Sequence, residues 1–315
     1  MKQTVTKFYR DTACLVALFF LTSCSFSYAQ TITVATYNLR NDNNKEDRAR
    51  GNGWQQRLPY VGGLIRFHGF DIFGTQEGLH HQLEDLKAEL PGFDYTGRGR
   101  DDGKQAGEYS AIFYDTGKFK LLDHGDFWLS QNTERPNKGW DAVLPRICSW
   151  AKLEVLSTGK SLYFFNVHFD HVGKLARIES AKLILKKVKE LSQNQTAILT
   201  GDFNVNQNSD SYKVLENSQV LKDAYESANF KYVPNGTFNG FNPNTKTESR
   251  IDHIFLTSDI TVDKYGVLTD TYRSAVSSSD TARQDPNFPT EVTLKDYRAR
   301  VPSDHFPVMA IINLH

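Results

Sequence analysis

The chain has 315 residues, 39% of them hydrophobic and 12% aromatic, which is enough for the core of one large α/β domain and excludes a disordered chain. Lysine plus arginine and aspartate plus glutamate number 37 each, so no global field draws the chain to nucleic acid or to anionic lipid.

Residues 1–29 read as an export signal: Lys2, Lys7 and Arg10 form a positive region, and residues 14–21 (CLVALFFL) form an apolar core too short to span a bilayer. The adopted reading of its end is a lipoprotein box at residues 21–24 (LTSC), with Cys24 lipidated at the bacterial cell envelope. The alternative is cleavage after Ala29, which yields a soluble periplasmic or secreted product with Cys148 as its only cysteine and no internal disulfide. Loss of residues 1–29 removes Lys2, Lys7, Arg10 and Asp11 and leaves 34 basic and 36 acidic residues, a formal charge of −2. Residues 30–315 carry no composition shift and read as a single domain, expected to be a monomer.

In chain order, residues 31–37 (TITVATY) alternate as a half-buried strand with Asn38 at its end. Trp54, Leu58, Val61, Leu64 and Ile65 follow on a helical repeat, with Pro59 early enough to be tolerated. Residues 71–77 (DIFGTQE) form a short strand closed by Glu77, and a helix is expected over 80–90. Strands are expected near 108–115, 119–128, 146–156 and 161–168, the last closed by His168. Leu175, Ile178, Ala181, Leu185 and Val188 mark one face of a helix whose lysines are solvated. A buried strand at 196–201 leads into Asp202-Phe203-Asn204, then come a helix after Ser209, a strand at 250–256 and a terminal strand at 307–313. The polar stretch 268–300, with Pro286 and Pro289, reads as a long loop flanking the functional site.

Polar residues fall at strand ends. Asn38, Glu77, His168 and Asp202 each close an apolar strand, whereas Asp252 and Asp304-His305 each open one. In a mixed sheet these ends meet at one edge. Asp202 and Asn204, two residues apart, can grip one water there, or else form a turn bonded to its own backbone. So many carboxylates with no cysteine cluster suit Mg²⁺ or Mn²⁺ rather than structural zinc.

The ordered set Thr36-Tyr37-Asn38, Gln76-Glu77, residues 166–171 (NVHFDH), residues 201–204 (GDFN), Arg250-Ile251-Asp252-His253 and residues 303–307 (SDHFP) resembles the endonuclease/exonuclease/phosphatase superfamily, the group of deoxyribonuclease I, over about residues 31–315. The match is closest to a bacterial secreted branch that also carries residues 107–113 (GEYSAIF) and 145–150 (PRICSW). The resemblance implies a four-layer α/β sandwich, two mixed β-sheets packed face to face with helices on both outer faces, that hydrolyses phosphoesters with a divalent metal. It implies Glu77 as principal metal ligand supported by Asn38, and Asp202 as orienter or base for the attacking water. Asn204 would hold that water and the phosphoryl oxygens, and His168 and His305 would contact the phosphate. Asp304 would orient His305 or bind metal, with Asp252 assisting.

Arg146, Glu108 and Tyr109 are further candidates for contact with substrate phosphate, and Arg146 could instead brace nearby acids. Asp170, His171 and Arg57 read as supporting or packing residues, and Arg98-Gly99-Arg100 as a solvated turn. The expected activity is Mg²⁺-dependent hydrolysis of a phosphodiester or phosphomonoester. The alternatives are a nuclease, for which no basic stripe with interleaved aromatics speaks, and a catalytically silent surface-binding module.

Overall fold

The computed structural model describes residues 30–276, 287 and 289–315. The export segment with Cys24, and residues 277–286 of the polar loop, lie outside the described residues.

The first half of the chain forms β1 (Gln30–Asn38), α1 (Lys45–Ala49), α2 (Trp54–Phe67), β2 (Ile72–Gln76), α3 (His80–Glu89), β3 (Phe93–Thr96), β4 (Ile112–Asp115), β5 (Phe119–Trp128) and β6 (Ile147–Val155). The second half forms β7 (Lys160–His168), α4 (Lys174–Ser192), β8 (Ala197–Asp202), α5 (Asp210–Glu216), β9 (Lys222–Asp223), α6 (Ala224–Ser227), β10 (Ala228–Tyr232), β11 (Asp252–Leu256), β12 (Ile260–Val267), β13 (Tyr272–Ala275), β14 (Tyr297–Arg300) and β15 (Val308–Leu314).

Two mixed sheets result, in the orders β10-β12-β15-β1-β2-β4-β3 and β5-β6-β7-β8-β11-β9. Period-2 alternation sends each strand's side chains to two different cores. In β1, Val34 joins Ile198 and Ile254 in the apolar cluster between the sheets, whereas Ala35 and Tyr37 face Trp54, Val61 and Ile65 of α2. In β7 and β8, Phe164 and Ile198 point inward, and Phe165 and Leu199 point to Ala181 and Ile184 of α4. Two packed sheets flanked by helices on both outer faces make the four-layer sandwich expected of the sequence.

Beneath one end of the sandwich the contact between the sheets turns polar. Gln76 Nε2 donates to Thr36 Oγ1 at 3.0 Å and to Asn166 Oδ1 at 2.7 Å, and Thr200 Oγ1 donates to the same Oδ1 at 3.0 Å. Asn166 Nδ2 in turn donates to the carbonyls of Thr75 (2.8 Å) and Ala111 (2.9 Å). The plug is buried, and these partners satisfy its side-chain groups except Gln76 Oε1, which has none. Gly74 leaves room for it: a Cβ there would stand 2.2 Å from Asn166 Oδ1.

The loop reading of 268–300 is corrected in part, because β13 and β14 pair antiparallel within it. Arg298 and Arg300 line a cavity that shares Asp47, Gly240 and Phe241 with the cleft described next, so this end of the stretch does flank the site. Strands β3, β10 and β12 were not expected from the sequence. Exposed polar residues interrupt the pattern of β12, and β10 is exposed along nearly its whole length, Phe230 and Tyr232 included.

Candidate active site

Strand pairing delivers the functional side chains. Parallel β1 and β2 put Asn38 opposite Gln76, so Asn38 and Glu77 emerge together; parallel β7 and β8 put His168 opposite Asp202. Antiparallel β11 starts with Asp252 opposite Asp202, and Asp304-His305 precede β15, the antiparallel neighbour of β1. The six strand ends do meet, but from two facing sheets rather than from one mixed sheet. Between them lies a cleft of about 460 Å³, lined among others by Glu77, Glu108, His168, Asp202, Asp304 and His305.

Asp202 is the centre. Its Oδ2 accepts from Asn38 Nδ2 at 3.0 Å and lies 3.6 Å from His168 Nε2 and 3.8 Å from His305 Nε2. Each imidazole has a carboxylate behind it: His305 Nδ1 is 2.9 Å from Asp252 Oδ2, and His168 Nδ1 is 3.8 Å from Glu108 Oε2. Glu77 accepts from Asn38 Nδ2 (3.2 Å) and, on its other oxygen, from the backbone and side-chain N–H groups of Asn41 (3.1 and 3.0 Å). Four residues lining this cleft carry left-handed backbones: Arg40 (φ 56°), Glu77 (φ 63°), Asn204 (φ 51°) and Phe241 (φ 61°). Such conformations cost about 1–3 kcal/mol each in non-glycine residues, and they cluster where surrounding structure holds side chains against local preference.

Burial and like charge set the ionisation pattern. Burial, with Asp252 adjacent, raises the Asp202 carboxyl to about 7 against the pull of His305. Glu108 is likewise pushed up to about 7, by burial and by Glu77. Asp304 also sits above the usual range through burial, despite His305, with Glu77 adding repulsion. Glu77 feels the same burial, but His305, the Asn41 N–H and Arg40 outweigh it and hold it below. His305 rises well above the usual imidazole value because Asp252 and Asp202 overcome its burial; His168 falls well below through burial and the positive Arg146 and Arg100. The site thus places one cationic and one neutral imidazole on either side of a carboxylate poised near neutrality.

Several expectations change. The carboxylate bonded to His305 is Asp252, not Asp304, which instead lies 3.6 Å from Arg40 Nη1. Both hydrogen bonds recorded for Asn204 serve local structure: its N–H donates to Asp202 Oδ1 at 2.8 Å, in the turn reading, and its Nδ2 to the Phe169 carbonyl at 3.0 Å. Tyr109 does not line the cleft; it packs in the core under α2 and α3 and donates to the Lys104 carbonyl. Arg146 does line the cleft, braced by Asp170 Oδ2 (3.3 Å) and His171 Nδ1 (3.0 Å), with Nη1 buried and without a partner. Arg57 is a packing residue, buried and donating to the carbonyls of Leu39, Arg40, Asn52 and Pro302.

The sequence reading missed Arg40, Asn41 and Arg100. Arg98 is exposed as expected of a turn, but Arg100 is buried, bonded to Glu108 at 2.5 Å and on the cleft wall. Arg100 and Glu108 both lie in the loop between β3 and β4, so no strand-end pattern marked the pair.

The donors fit a hard divalent cation. Five carboxylates, Glu77, Glu108, Asp202, Asp252 and Asp304, are drawn together, several at the expense of their ordinary ionisation, and Asp252 Oδ1 is buried without a partner. Asp202, Asp252 and His305 offer ligand atoms within 4.8 Å of one another. In that trio, however, the imidazole is hydrogen-bonded and cationic, which favours a proton relay there. Glu77 and Asp304 are the oxygen-only alternative on the same cleft; Asn38, expected to support Glu77, turns its Nδ2 toward Glu77 and Asp202 while its Oδ1 accepts from the Arg40 N–H at 3.0 Å.

Comparison with known proteins identifies the fold and the chemistry. The family model described as the Endonuclease/Exonuclease/phosphatase family matches residues 35–305. An endonuclease/exonuclease/phosphatase family protein from Bacteroides thetaiotaomicron is 52% identical, with a TM-score of 0.84 over 91% of this chain and 99% of that one. A mannosyl-6-phosphatase of the same organism is 53% identical, with a TM-score of 0.82 over 89% of this chain and 99% of that one. An uncharacterized protein of Acanthamoeba polyphaga mimivirus is 23% identical over 244 residues, 67% of this chain and 35% of that protein, so the chain spans about a third of this curated relative.

Proposed function

The chain belongs to the endonuclease/exonuclease/phosphatase family and is a hydrolase of phosphoesters; from that premise we propose that it is an exported Mg²⁺-dependent phosphomonoesterase acting on a phosphorylated sugar. The observation that carries the chemistry is Asp202 standing between His168 and His305, with His305 hydrogen-bonded from behind by Asp252. The substrate class is supported by the mannosyl-6-phosphatase at 53% identity and by the near-neutral charge of the chain, which lacks the basic field of a nuclease.

Glu77 and Asp304 would hold the cation, with Asn38 Nδ2 positioning Glu77, and the cation when bound would withdraw charge from the phosphoryl oxygens. Asp202, raised toward neutrality, accepts the proton of the attacking water. Asn38 and the Asn204 N–H each hold one of its oxygens, so the carboxylate is oriented and each oxygen keeps one lone-pair direction for that water. Cationic His305, held by Asp252, and the guanidinium of Arg146 face the non-bridging oxygens and stabilise the charge that develops on them. His168, neutral, offers a donor from the other side without adding charge that would quench Asp202.

The test is turnover of mannose 6-phosphate, p-nitrophenyl phosphate, bis-p-nitrophenyl phosphate and single-stranded DNA with Mg²⁺, with Asp202→Asn as paired control. Monoester hydrolysis lost in the control supports the reading. Faster cleavage of DNA or of the diester would replace it with a nuclease or phosphodiesterase.

A further inference from the structure

A second cavity, of about 330 Å³, opens beside the cleft and is lined by Phe238, Asn239, Thr245, Thr247, Ser249 and Ile251. Phe238 belongs to both walls. It is 48% exposed, pairs through its backbone with His305 and packs against that imidazole edge to face, with ring centroids 5.1 Å apart. Whatever leaves a phosphorus held at His305 on this side therefore meets the Phe238 ring first.

The second cavity is built rather than incidental. The Asn239 N–H donates to the Asp304 carbonyl at 2.8 Å, and its Oδ1 accepts from the Phe241 N–H at 2.8 Å, which fixes the side chain. Its Nδ2 is buried and has no partner, although the residue is only 3% exposed. An orphaned donor of this kind costs about 1–3 kcal/mol unless something fills it. Thr245 Oγ1 bonds the Asn239 carbonyl (3.1 Å), and Thr247 is tied to Asn235 through its N–H (2.8 Å), so the wall is preformed. The one charged side chain on the rim, Lys246, is already paired with Glu248 at 3.1 Å.

An exposed aromatic ring, the apolar Ile251 and the hydroxyl-bearing Thr245, Thr247 and Ser249 suit a ligand with an apolar face and hydroxyls at its edge. We infer that this cavity is a subsite for a neutral sugar residue in the alcohol half of the phosphoester. The inference rests on the phosphoesterase reading for its place in the reaction, but the binding site itself can be tested without turnover.

The experiment compares kcat/KM for phosphorylated mannobiose, adenosine 5′-monophosphate and p-nitrophenyl phosphate in the wild type and in Ser249→Phe, which fills the cavity from its far wall. In parallel, ligand-observed NMR follows neutral mannobiose with both proteins and with Phe238→Ala, circular dichroism having shown that each variant is folded. The expected result is that Ser249→Phe lowers the ratio of phosphorylated mannobiose to p-nitrophenyl phosphate about tenfold, the scale of one lost stacking contact. Mannobiose binding should disappear in both variants. An unchanged ratio together with no mannobiose signal overturns the subsite while leaving the phosphatase reading in place. Mannobiose binding that both variants abolish, with no phosphoester turned over, supports the subsite and sinks the phosphatase reading. Adenosine 5′-monophosphate preferred over phosphorylated mannobiose, with that preference lost in Ser249→Phe, overturns the sugar assignment in favour of a nucleobase.

Discussion

Asp252 and His305 come from different sheets, and the 2.9 Å between the Asp252 carboxylate and His305 Nδ1 is a bond across the mouth of the sandwich. It fixes which ring nitrogen faces Asp202 and, with Asp202, keeps the imidazole cationic well above its usual range.

Asp252→Asn should therefore lower kcat by about 10² to 10⁴ with a smaller change in KM, the range seen when a positioning carboxylate is lost from an acid–base pair. Because the folded pKa of His305 is raised by Asp252, the alkaline limb of kcat/KM should move to lower pH in the variant. A pH–rate profile that keeps its alkaline limb would remove His305 as the charged partner of the phosphate.

The raised carboxyls also predict a stability effect. Asp202 and Glu108 hold protons in the folded, metal-free protein up to about pH 7, whereas the unfolded chain releases them near pH 4. The folded state then binds more protons, so stability in EDTA should fall as pH rises from 4 to 7. Asp202→Asn should flatten that slope, and Mg²⁺ should raise the melting temperature of the wild type at pH 8. Parallel melting curves of wild type and variant across this range would contradict the assignment of Asp202.

Asp170 has the opposite sign. Burial raises its carboxyl, but the Gly173 and Val172 N–H groups and Arg146 prevail and bring it down to about 2. Its contribution to stability is present above the unfolded value near 4 and is lost as pH falls toward 2. Asp170→Asn should lower the melting temperature at pH 6 and narrow the gap to wild type by pH 2.5. It should also raise KM for phosphomonoesters several-fold, since it braces Arg146. A variant with unchanged KM would leave Arg146 a purely structural residue.

Gly74→Ala tests the polar plug. Its methyl would meet Asn166 Oδ1 at 2.2 Å and Thr200 Oγ1 at 2.4 Å, so either the plug breaks or the sheets move apart. A loss of about 2–4 kcal/mol in urea unfolding is expected, the range of overpacking combined with a broken buried network. A change under about 0.5 kcal/mol, the surface-substitution scale, would mean the plug yields freely.

The sequence made the strand-end residues legible because alternation and motif order place Asn38, Glu77, His168, Asp202, Asp252 and His305 without knowledge of tertiary packing. What it could not place was pairing. The sequence reading gave Asp304 the orienting of His305 and left Asp252 assisting, and only the registers of β11 on β8 and β15 on β1 bring Asp252 to the imidazole instead. Tyr109, read as a substrate contact, and Arg100, read as a solvated turn residue, were misplaced for a related reason. An aromatic next to a site and an arginine in a turn look exposed until the residues from 100 to 109 fold back so that Tyr109 enters the core and Arg100 pairs with Glu108.

The plug of Gln76, Asn166, Thr36 and Thr200 gives the sandwich an asymmetry. Apolar faces can slide past one another with little change in energy, whereas hydrogen bonds cannot, so the two sheets are pinned at the catalytic end and freer to shift at the other. Breathing of the molecule should then resemble a hinge whose pin lies under the chemistry, with amide exchange slowest at Thr75, Asn166 and Thr200 and faster toward the opposite rim. Substitutions far from the cleft can be absorbed by that free end, which lets the surface of the protein drift while the distances around Asp202 stay fixed.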